Sequence, residues 1–137
     1  MPNEDLIKKL LEANRTGNIN IWNDYIKLRS KKFTVIDLAY ASLKKINLVN
    51  AYLVSANLKH TDLSGTTLSG ADLSGADLSW ANLSGVDLSA ANLNRANLYR
   101  ANLTGADLCV VNFHGANLFE ADLTGAKISE FSNLNMK

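Results

Sequence analysis

Residues 71–80 read Ala-Asp-Leu-Ser-Gly-Ala-Asp-Leu-Ser-Trp, which is two consecutive copies of one five-residue unit. The same unit runs without insertion or deletion over residues 36–130, nineteen times in all. Leucine occupies the third position of every unit except the two that carry Phe113 and Ile128. The first position is Ala in thirteen units, and the second is Asp or Asn in fifteen. A repeat this regular predicts a solenoid in which every unit has the same local structure.

A five-residue period fits neither an α-helix nor a long strand. In a helix, five residues advance by about 500°, so successive leucines point in different directions and no apolar face forms. In a long strand, an odd period places alternate leucines on opposite faces. Within one unit, however, Ala71 and Leu73 share one face of a short extended segment, and the Ser-Gly pair that follows favours a turn. We therefore predict short extended segments joined by corners, with the small residue and the leucine pointing inward.

The units at residues 71–75, 76–80 and 101–105 read Ala-Asp-Leu-Ser-Gly, Ala-Asp-Leu-Ser-Trp and Ala-Asn-Leu-Thr-Gly. They resemble the pentapeptide-repeat family, whose pattern is A-(D/N)-L-x-x, and the resemblance extends over residues 36–130. It implies an all-β solenoid, namely a right-handed quadrilateral β-helix with four units per coil. Nineteen units then give about five coils. At a spacing of about 4.8 Å per coil, the rod is roughly 24 Å long.

The segment before the repeats has the periodicity of helices. Asn3 is a candidate N-cap and Gly17 a candidate C-terminal stop for a first helix, and a second is predicted over residues 20–28. The apolar residues at helical spacing are Leu6, Ile7, Leu10, Leu11, Trp22, Tyr25, Ile26 and Leu28. An N-terminal helical segment is similar to that of small cyanobacterial-type members of the family. We predict an α-helical cap that covers the first coil, with a docking helix for a partner as the alternative.

The predicted domain boundaries follow from these two parts. We place the N-terminal helical cap at residues 1–32, the repeat β-helix at 33–130 and a C-terminal tail at 131–137. Phe131 and Leu134 are candidates to cover the last coil. Because an uncovered solenoid end exposes unpaired backbone groups, edge-to-edge association is possible there. We predict a monomer or a weak end-to-end dimer.

Composition and charge argue against several classes of protein. The net charge is +1, and residues 36–137 carry seven basic against nine acidic residues. Without a dense basic surface, we expect no direct nucleic-acid binding. Cys109 is the single cysteine, which excludes an internal disulfide and fits a reducing compartment. Neither a signal-peptide pattern nor an apolar stretch of transmembrane length occurs, so we predict a cytoplasmic protein without membrane association.

One set of outward positions differs from the rest. If a coil takes twenty residues, residues twenty apart stack in columns, and most outward columns carry small polar residues. One corner instead carries aromatic and charged side chains, which are the types enriched at binding hot spots. We predict a protein-interaction face made of Tyr40, His60, Trp80, Tyr99, Arg100, Phe119 and Glu120. Trp80 and Arg100 are expected to form a cation–π pair. The alternative is a ladder of self-stacking surface residues without a partner.

The acidic residues of the repeats form a second candidate site. Seven units carry Asp at the second position: Asp37, Asp62, Asp72, Asp77, Asp87, Asp107 and Asp122. Asp87 and Asp107 are expected to be vertical neighbours, and two stacked carboxylates are able to hold a metal ion. Eight units carry Asn at the same position, however, so charge is not required there. We therefore predict a structural role and no metal site, with ligand or metal binding by the aspartate columns as the alternative.

No arrangement in the sequence indicates catalysis. His60, His114 and Cys109 fall on different sides of the predicted coil, so a nucleophile, a base and an orienting group do not converge. The glycines recur as corners and do not form a phosphate-binding loop, and no cofactor is expected. We predict a non-catalytic interaction or scaffold module. The resemblance implies one alternative, a nucleic-acid-mimicking topoisomerase (gyrase) inhibitor, although these repeats are only weakly acidic.

Overall fold

The computed structural model describes residues 3–30, 35–129 and 132–133. Within these residues the chain begins with two helices, α1 (Glu4–Thr16) and α2 (Asn20–Ser30), and continues into the repeats. Each unit contributes one β-bridge residue, at its second position, rather than a strand of several residues. The predicted extended segments are therefore very short. The candidate lid residues Phe131 and Leu134 lie outside the described residues.

The repeats wind with a period of twenty residues. Parallel bridges join residues twenty apart, beginning with Asp37 and Asn57 and ending with Asp107 and Lys127. Two backbone hydrogen bonds recur at each rung. The Leu38 N–H donates forward to the Asn57 carbonyl at 2.8 Å, and the Asn57 N–H donates back to the Ile36 carbonyl at 2.8 Å. Since a unit is five residues long, bridged residues are four units apart.

The corners are tight turns with a left-handed residue. The Ala41 N–H donates to the Leu38 carbonyl at 3.1 Å, and Tyr40 between them has φ 62°. A hydrogen bond across four residues with positive φ at the third is the signature of a type II turn. Glycine occupies this third position at Gly75, where a left-handed φ costs no steric strain. Among the described residues, eleven that are not glycine, Tyr40 included, also adopt positive φ. The coil therefore requires a positive φ at this position whichever residue is present, and glycine only lowers its steric cost.

The core is a stack of leucines inside the coils. The inward residues from Leu38 to Leu108 are essentially inaccessible to solvent, and the alanines two residues earlier in most units are buried with them. Burial of a leucine side chain stabilises a fold by about 1.5–3 kcal/mol, so this column is the main source of stability. In the last described coil, Leu118 and Leu123 are only partly buried.

Helix α1 begins and ends as predicted. The Asn3 side chain accepts hydrogen bonds from the Asp5 and Leu6 N–H groups, and Gly17 at φ 68° ends the helix. Leu6, together with Leu10 and Ala13, packs into the core. The expected apolar face was partly wrong, because Leu11 is 41% exposed and Leu28 of α2 is 67% exposed.

Side chains of the two helices form hydrogen bonds with backbone groups of the first coil. The Asn47 N–H donates to Asn14 Oδ1 at 2.8 Å, and the Tyr52 N–H donates to Asn23 Oδ1 at 2.8 Å. In the reverse direction, Trp22 Nε1 donates to the Tyr52 carbonyl at 2.8 Å. In later coils, the preceding coil provides the partners for the equivalent groups. Buried or edge backbone groups need partners, and these side chains supply them for the Asn47 N–H and for the N–H and carbonyl of Tyr52.

Side chains of the last described residues supply partners for backbone groups near the opposite edge. The Phe113 N–H donates to Asn133 Oδ1 at 2.7 Å, and the Ser132 hydroxyl donates to the Leu108 carbonyl at 2.7 Å. The Val110 N–H donates to Ser129 Oγ at 3.0 Å.

Candidate functional site

The predicted interaction face forms a continuous run of aromatic rings along one corner of the solenoid. We call its seven residues the aromatic ladder: Tyr40, His60, Trp80, Tyr99, Arg100, Phe119 and Glu120. Tyr40 and His60 stack with centroids 4.9 Å apart and planes at 9°, and His60 and Trp80 stack at 6.0 Å and 17°. Trp80 then meets Tyr99 edge to face at 6.0 Å and 85°. Tyr99 and Phe119 are parallel, 6.2 Å apart.

Arg100 joins the two halves of the ladder. Its guanidinium carbon lies 4.8 Å from the Trp80 ring centroid and 5.2 Å from that of Tyr99. The predicted cation–π pair of Trp80 and Arg100 is therefore confirmed. Arg100 Nε also donates to the Glu120 carboxylate one coil later. The guanidinium therefore contacts the Trp80 and Tyr99 rings and the Glu120 carboxylate at the same time.

The turn conformation directs the ladder outward. The corner residues Tyr40, His60, Trp80, Arg100 and Glu120 all have φ between 54° and 62°. Tyr40 is 67% exposed, Trp80 47% and Phe119 64%. The structure therefore brings all seven predicted residues together on one accessible surface. Tyr99 and Phe119 each lie one residue before a corner residue, in the column next to that of Trp80. Their rings nevertheless continue the row of ring contacts that begins at Tyr40.

Two lysines in the first repeats form ion pairs, and Lys59 is next to His60 of the ladder in the chain. Lys59 Nζ lies 3.3 Å from the Asp77 carboxylate, and Lys44 Nζ, one unit away from the ladder, lies 3.0 Å from that of Asp62. Burial tends to raise the pKa of both carboxyls, but hydrogen bonds from the neighbouring serine and lysine outweigh it, so each pKa lies below its usual value. Both aspartates are consequently ionised at neutral pH. The two pairs together carry two positive and two negative charges, and the sequence pattern alone did not indicate them.

The second-position aspartates and asparagines have a structural role. In all fifteen units that carry Asp or Asn there, the Oδ1 atom accepts the backbone N–H two residues later. Asparagines additionally donate along the column, as Asn92 Nδ2 does to Asp72 Oδ1 at 3.2 Å. Both residue types supply the required acceptor, which explains why the repeat uses either one.

Asp87 and Asp107 are vertical neighbours, as expected, but they are engaged within their own units. The Ser89 hydroxyl donates to Asp87 at 2.6 Å, and the Cys109 N–H donates to Asp107 at 3.1 Å. Within residues 3–30, 35–129 and 132–133, no group of three or more His, Cys, Asp or Glu side chains is placed to hold a metal ion.

Cys109 lies in an environment that suppresses thiol reactivity. Its hydrogen bond with the Asp107 carboxylate, together with burial, raises the pKa of the Cys109 thiol. The N–H and thiol of Cys109 in turn lower the pKa of the Asp107 carboxyl. Since the thiolate is the nucleophilic form, this pair does not resemble an activated cysteine.

The described surface depressions gather no reactive groups. One, of about 190 Å³, lies between the end of α1 and the first coil and is lined by Ala13, Gly17, Ile19, Asn47, Val49 and Asn50. Another, of about 400 Å³, lies on the outer side of α1 beside Lys8, Leu11, Glu12 and Arg15. As for membranes, the described helices are too short or too polar to cross a bilayer.

Comparison with known proteins agrees with the repeat pattern. Residues 33–70, 71–108 and 100–132 match the family described as pentapeptide repeats, with eight copies. No curated protein matches the chain significantly.

Among solved structures, a pentapeptide repeat protein from the thylakoid lumen of Arabidopsis thaliana is 38% identical, with a TM-score of 0.66 over 69% of this chain and 66% of that chain. Rfr23 from the cyanobacterium Cyanothece 51142 is 35% identical, with a TM-score of 0.41 over 73% and 65%. HetL from Nostoc sp. strain PCC 7120, involved in heterocyst differentiation regulation, is 29% identical, with a TM-score of 0.43 over 66% and 61%.

The chain spans slightly less than two thirds of the length of each of these three proteins. The structural likeness rests on the Arabidopsis protein, whose TM-score alone among the three exceeds 0.5. The family match covers well over half of the chain. By its repeats, its twenty-residue register and these matches, the chain belongs to the pentapeptide-repeat family.

Proposed function

We propose that this protein is a non-catalytic interaction or scaffold module that binds another protein through the aromatic ladder. The observation that carries the proposal is the concentration of large exposed side chains, including Tyr40, Trp80 and Phe119, on one corner of the rod. Exposed tyrosine, tryptophan and arginine are the residue types that dominate binding energy in protein interfaces. The stacked rings lose little conformational freedom on binding, because their neighbours already hold them.

We infer the finer architecture from the family. The solenoid is a right-handed quadrilateral β-helix of about five coils, with residues 1–32 as an N-terminal cap, 33–130 as the β-helix and 131–137 as a tail. The side chains of Asn14, Trp22 and Asn23 support the cap assignment, since they bond the free edge of the first coil. We further propose a cytoplasmic protein, monomeric or weakly dimeric end to end, that uses no cofactor and binds neither nucleic acid nor membrane.

The alternative, inhibition of a topoisomerase by nucleic-acid mimicry, has less support from the surface charge. Mimicry needs a dense line of unneutralised acidic groups along the rod. Here Asp62, Asp77 and Glu120 each lie within an ion pair with a lysine or arginine. The weak net charge of the repeats points in the same direction.

The proposal is tested by affinity capture from the native cell with the purified protein as bait. We expect one or more proteins to be captured by the wild type and to be lost from the Trp80→Ala/Tyr99→Ala double variant. Removal of hot-spot residues that contribute 2 kcal/mol or more weakens binding by about thirtyfold.

A matched control changes two outward residues at other corners, Val110→Ala and His114→Ala. Val110 is 56% exposed and His114 is also exposed, so the control removes comparable surface elsewhere on the rod. Circular dichroism of both double variants verifies that the coil is intact. Equal capture by the wild type and the Trp80→Ala/Tyr99→Ala variant would refute the proposed face.

A further inference from the structure

The centre of the aromatic ladder presents ring edges to solvent, because its ring faces are already occupied. The His60 ring lies between Tyr40, at 4.9 Å, and Trp80, at 6.0 Å, with near-parallel planes. His60 and Arg100 lie one coil before and one coil after Trp80, and the guanidinium of Arg100 is 4.8 Å from the Trp80 centroid. Both faces of His60 and both faces of Trp80 are therefore covered from within the protein.

Covered faces determine which ligands the surface can take. The face of an aromatic ring is electron-rich and attracts cations or stacks on other planar groups, whereas the edge carries partial positive charge. The Trp80 face that would hold a partner cation is filled by Arg100. Nucleobases and sugar rings, which stack on open faces, meet the same obstacle at His60 and Trp80. The edges that remain favour hydrogen-bond acceptors and anions.

The polar atoms of the ladder point to the same chemistry. Among the described residues, none of the hydrogen bonds involves the hydroxyl of Tyr40, the hydroxyl of Tyr99 or Nε1 of Trp80. The second tryptophan differs, since Trp22 Nε1 donates to the Tyr52 carbonyl at 2.8 Å. The indole N–H is only a donor, and a phenol O–H donates readily to a carboxylate. The ladder thus offers three donor groups, on Tyr40, Trp80 and Tyr99, that have no hydrogen-bond acceptor among the described residues.

The ion pair beside the ladder leaves room for an acidic partner. Lys59 is about half exposed, and an exposed pair of this kind contributes little stability, so its ammonium group can turn to a new carboxylate. The same exchange would also release Asp77 for a partner cation. That cation, however, would find the faces of His60 and Trp80 occupied, whereas a carboxylate would find free donors.

We propose that the aromatic ladder binds an extended polypeptide segment of its partner that is rich in aspartate or glutamate. This inference rests on the proposed function and names the partner chemistry for the same surface. Four steps of about 4.8 Å give the ladder a length of roughly 19 Å, which corresponds to about six residues of extended chain. Carboxylates along that segment accept hydrogen bonds from Tyr40, Trp80 and Tyr99 and pair with Lys59.

The experiment follows the two indole N–H resonances of the ¹⁵N-labelled full chain by NMR, with Trp80→Phe used for assignment. The probes are acetyl-(Glu-Gly)4-amide and acetyl-(Lys-Gly)4-amide, with octathymidylate and cellohexaose as ligands that require open ring faces. We expect the acidic peptide to shift the Trp80 resonance saturably, with an affinity at least about tenfold above that of the basic peptide. The hydrogen-bonded Trp22 indole serves as the internal reference and is expected not to move.

A conservative variant separates donation from stacking. Tyr40→Phe keeps the ring against His60 but removes the hydroxyl, so it is expected to weaken the acidic peptide by about tenfold. Tyr52→Phe, which removes a hydroxyl elsewhere on the rod, is the matched control and is expected to leave binding unchanged.

Three results would overturn the inference: equal or tighter binding of the basic peptide, a Trp80 shift with octathymidylate or cellohexaose but not with the acidic peptide, or no saturable shift with any probe. If these occur while Trp80→Ala/Tyr99→Ala still abolishes capture of a cellular protein, the interaction face stands and only its acidic partner chemistry is wrong. If capture is also unaffected, the proposed function itself fails.

Discussion

At the scale of the residue, each position of the repeat has one physical task. The second residue supplies a side-chain oxygen for the N–H two positions later, and the third fills the core. The fifth residue adopts a left-handed conformation and points its side chain outward. Sequence freedom therefore concentrates at the corners, and the large residues of the aromatic ladder are found there.

Replacing Asp72 tests the task of the second position. Asp72 Oδ1 accepts from the Ser74 N–H at 3.0 Å and from Asn92 Nδ2 at 3.2 Å. Asp72→Ala removes the acceptor of both hydrogen bonds and is expected to lower the free energy of unfolding by about 1–3 kcal/mol. Asp72→Asn retains an oxygen in the same place and is expected to be nearly neutral. Urea unfolding measures both, and an equal loss in the two variants would contradict the assigned role.

Val110 tests the cost of the left-handed corner. It has φ 60°, a conformation that is strongly unfavourable for a β-branched residue, and its side chain is 56% exposed. Val110→Gly is therefore expected to raise the free energy of unfolding by about 1 kcal/mol. The control is Val86→Gly, which empties a buried inward position and is expected to destabilise by about 2 kcal/mol or more. Thermal unfolding compares the two, and a destabilised Val110→Gly variant would show that the corner is not strained.

At the scale of the element, the two helices act on the solenoid through a few polar side chains as well as through apolar packing. Leu6, Leu10, Trp22 and Ile26 join the leucine core. Asn14 and Asn23 lie within the two helices, although asparagine is a poor helix former. Both side chains accept hydrogen bonds from the backbone of the first coil. Their unfavourable propensity is the sequence signal that marks them as edge-binding residues.

Asn14→Ala tests whether the cap satisfies the edge. The variant leaves the Asn47 N–H without its 2.8 Å partner, so hydrogen exchange at the Asn47 amide is expected to accelerate by about tenfold. Asn14→Asp keeps an acceptor oxygen and is expected to preserve most of the protection. Amide exchange measured by NMR at residue 47 distinguishes them, with the amide of Asp87 in a central coil as the internal reference. Unchanged protection in Asn14→Ala would show that the contact does not close the edge.

At the scale of the whole molecule, the protein is a one-dimensional stack in which each coil is stabilised by its neighbours. In such repeats, stability depends on interfaces between adjacent units, so the middle and the ends are not equivalent. Leu83 in a central coil is fully buried, whereas Leu118 in the last described coil is only partly buried.

The position of a leucine along the rod should therefore set the cost of losing it. Leu83→Ala is expected to destabilise by about 2–5 kcal/mol, because a rigid core leaves a cavity. Leu118→Ala is expected to cost about 1–2 kcal/mol, since less surface is buried there. Guanidinium unfolding followed by circular dichroism provides both values. Similar losses would imply that the C-terminal coil is as firmly covered as the centre.

The residues of the candidate site could be predicted from the sequence, but most of their contacts could not. A spacing of twenty residues is enough to align Tyr40, His60 and Trp80, and it also predicted the Trp80–Arg100 pair. It did not predict that Tyr99 turns edge to face against Trp80, because that contact joins neighbouring columns and depends on side-chain rotamers. The Lys59–Asp77 pair likewise depends on how a flexible side chain reaches across a coil.

The sequence by itself determined the five-residue unit, the inward leucine, the turn-forming corner and the presence of two N-terminal helices. These features are local or strictly periodic, so every copy carries the same information. Only the tertiary structure decided how the ring faces are occupied, which backbone groups Asn14, Trp22 and Asn23 satisfy, and which way Leu11 and Leu28 point. Those outcomes depend on contacts between residues that are distant in sequence. The repeat does not encode these contacts, because the residues at the ends of the rod and in the aromatic ladder differ from the repeated pattern.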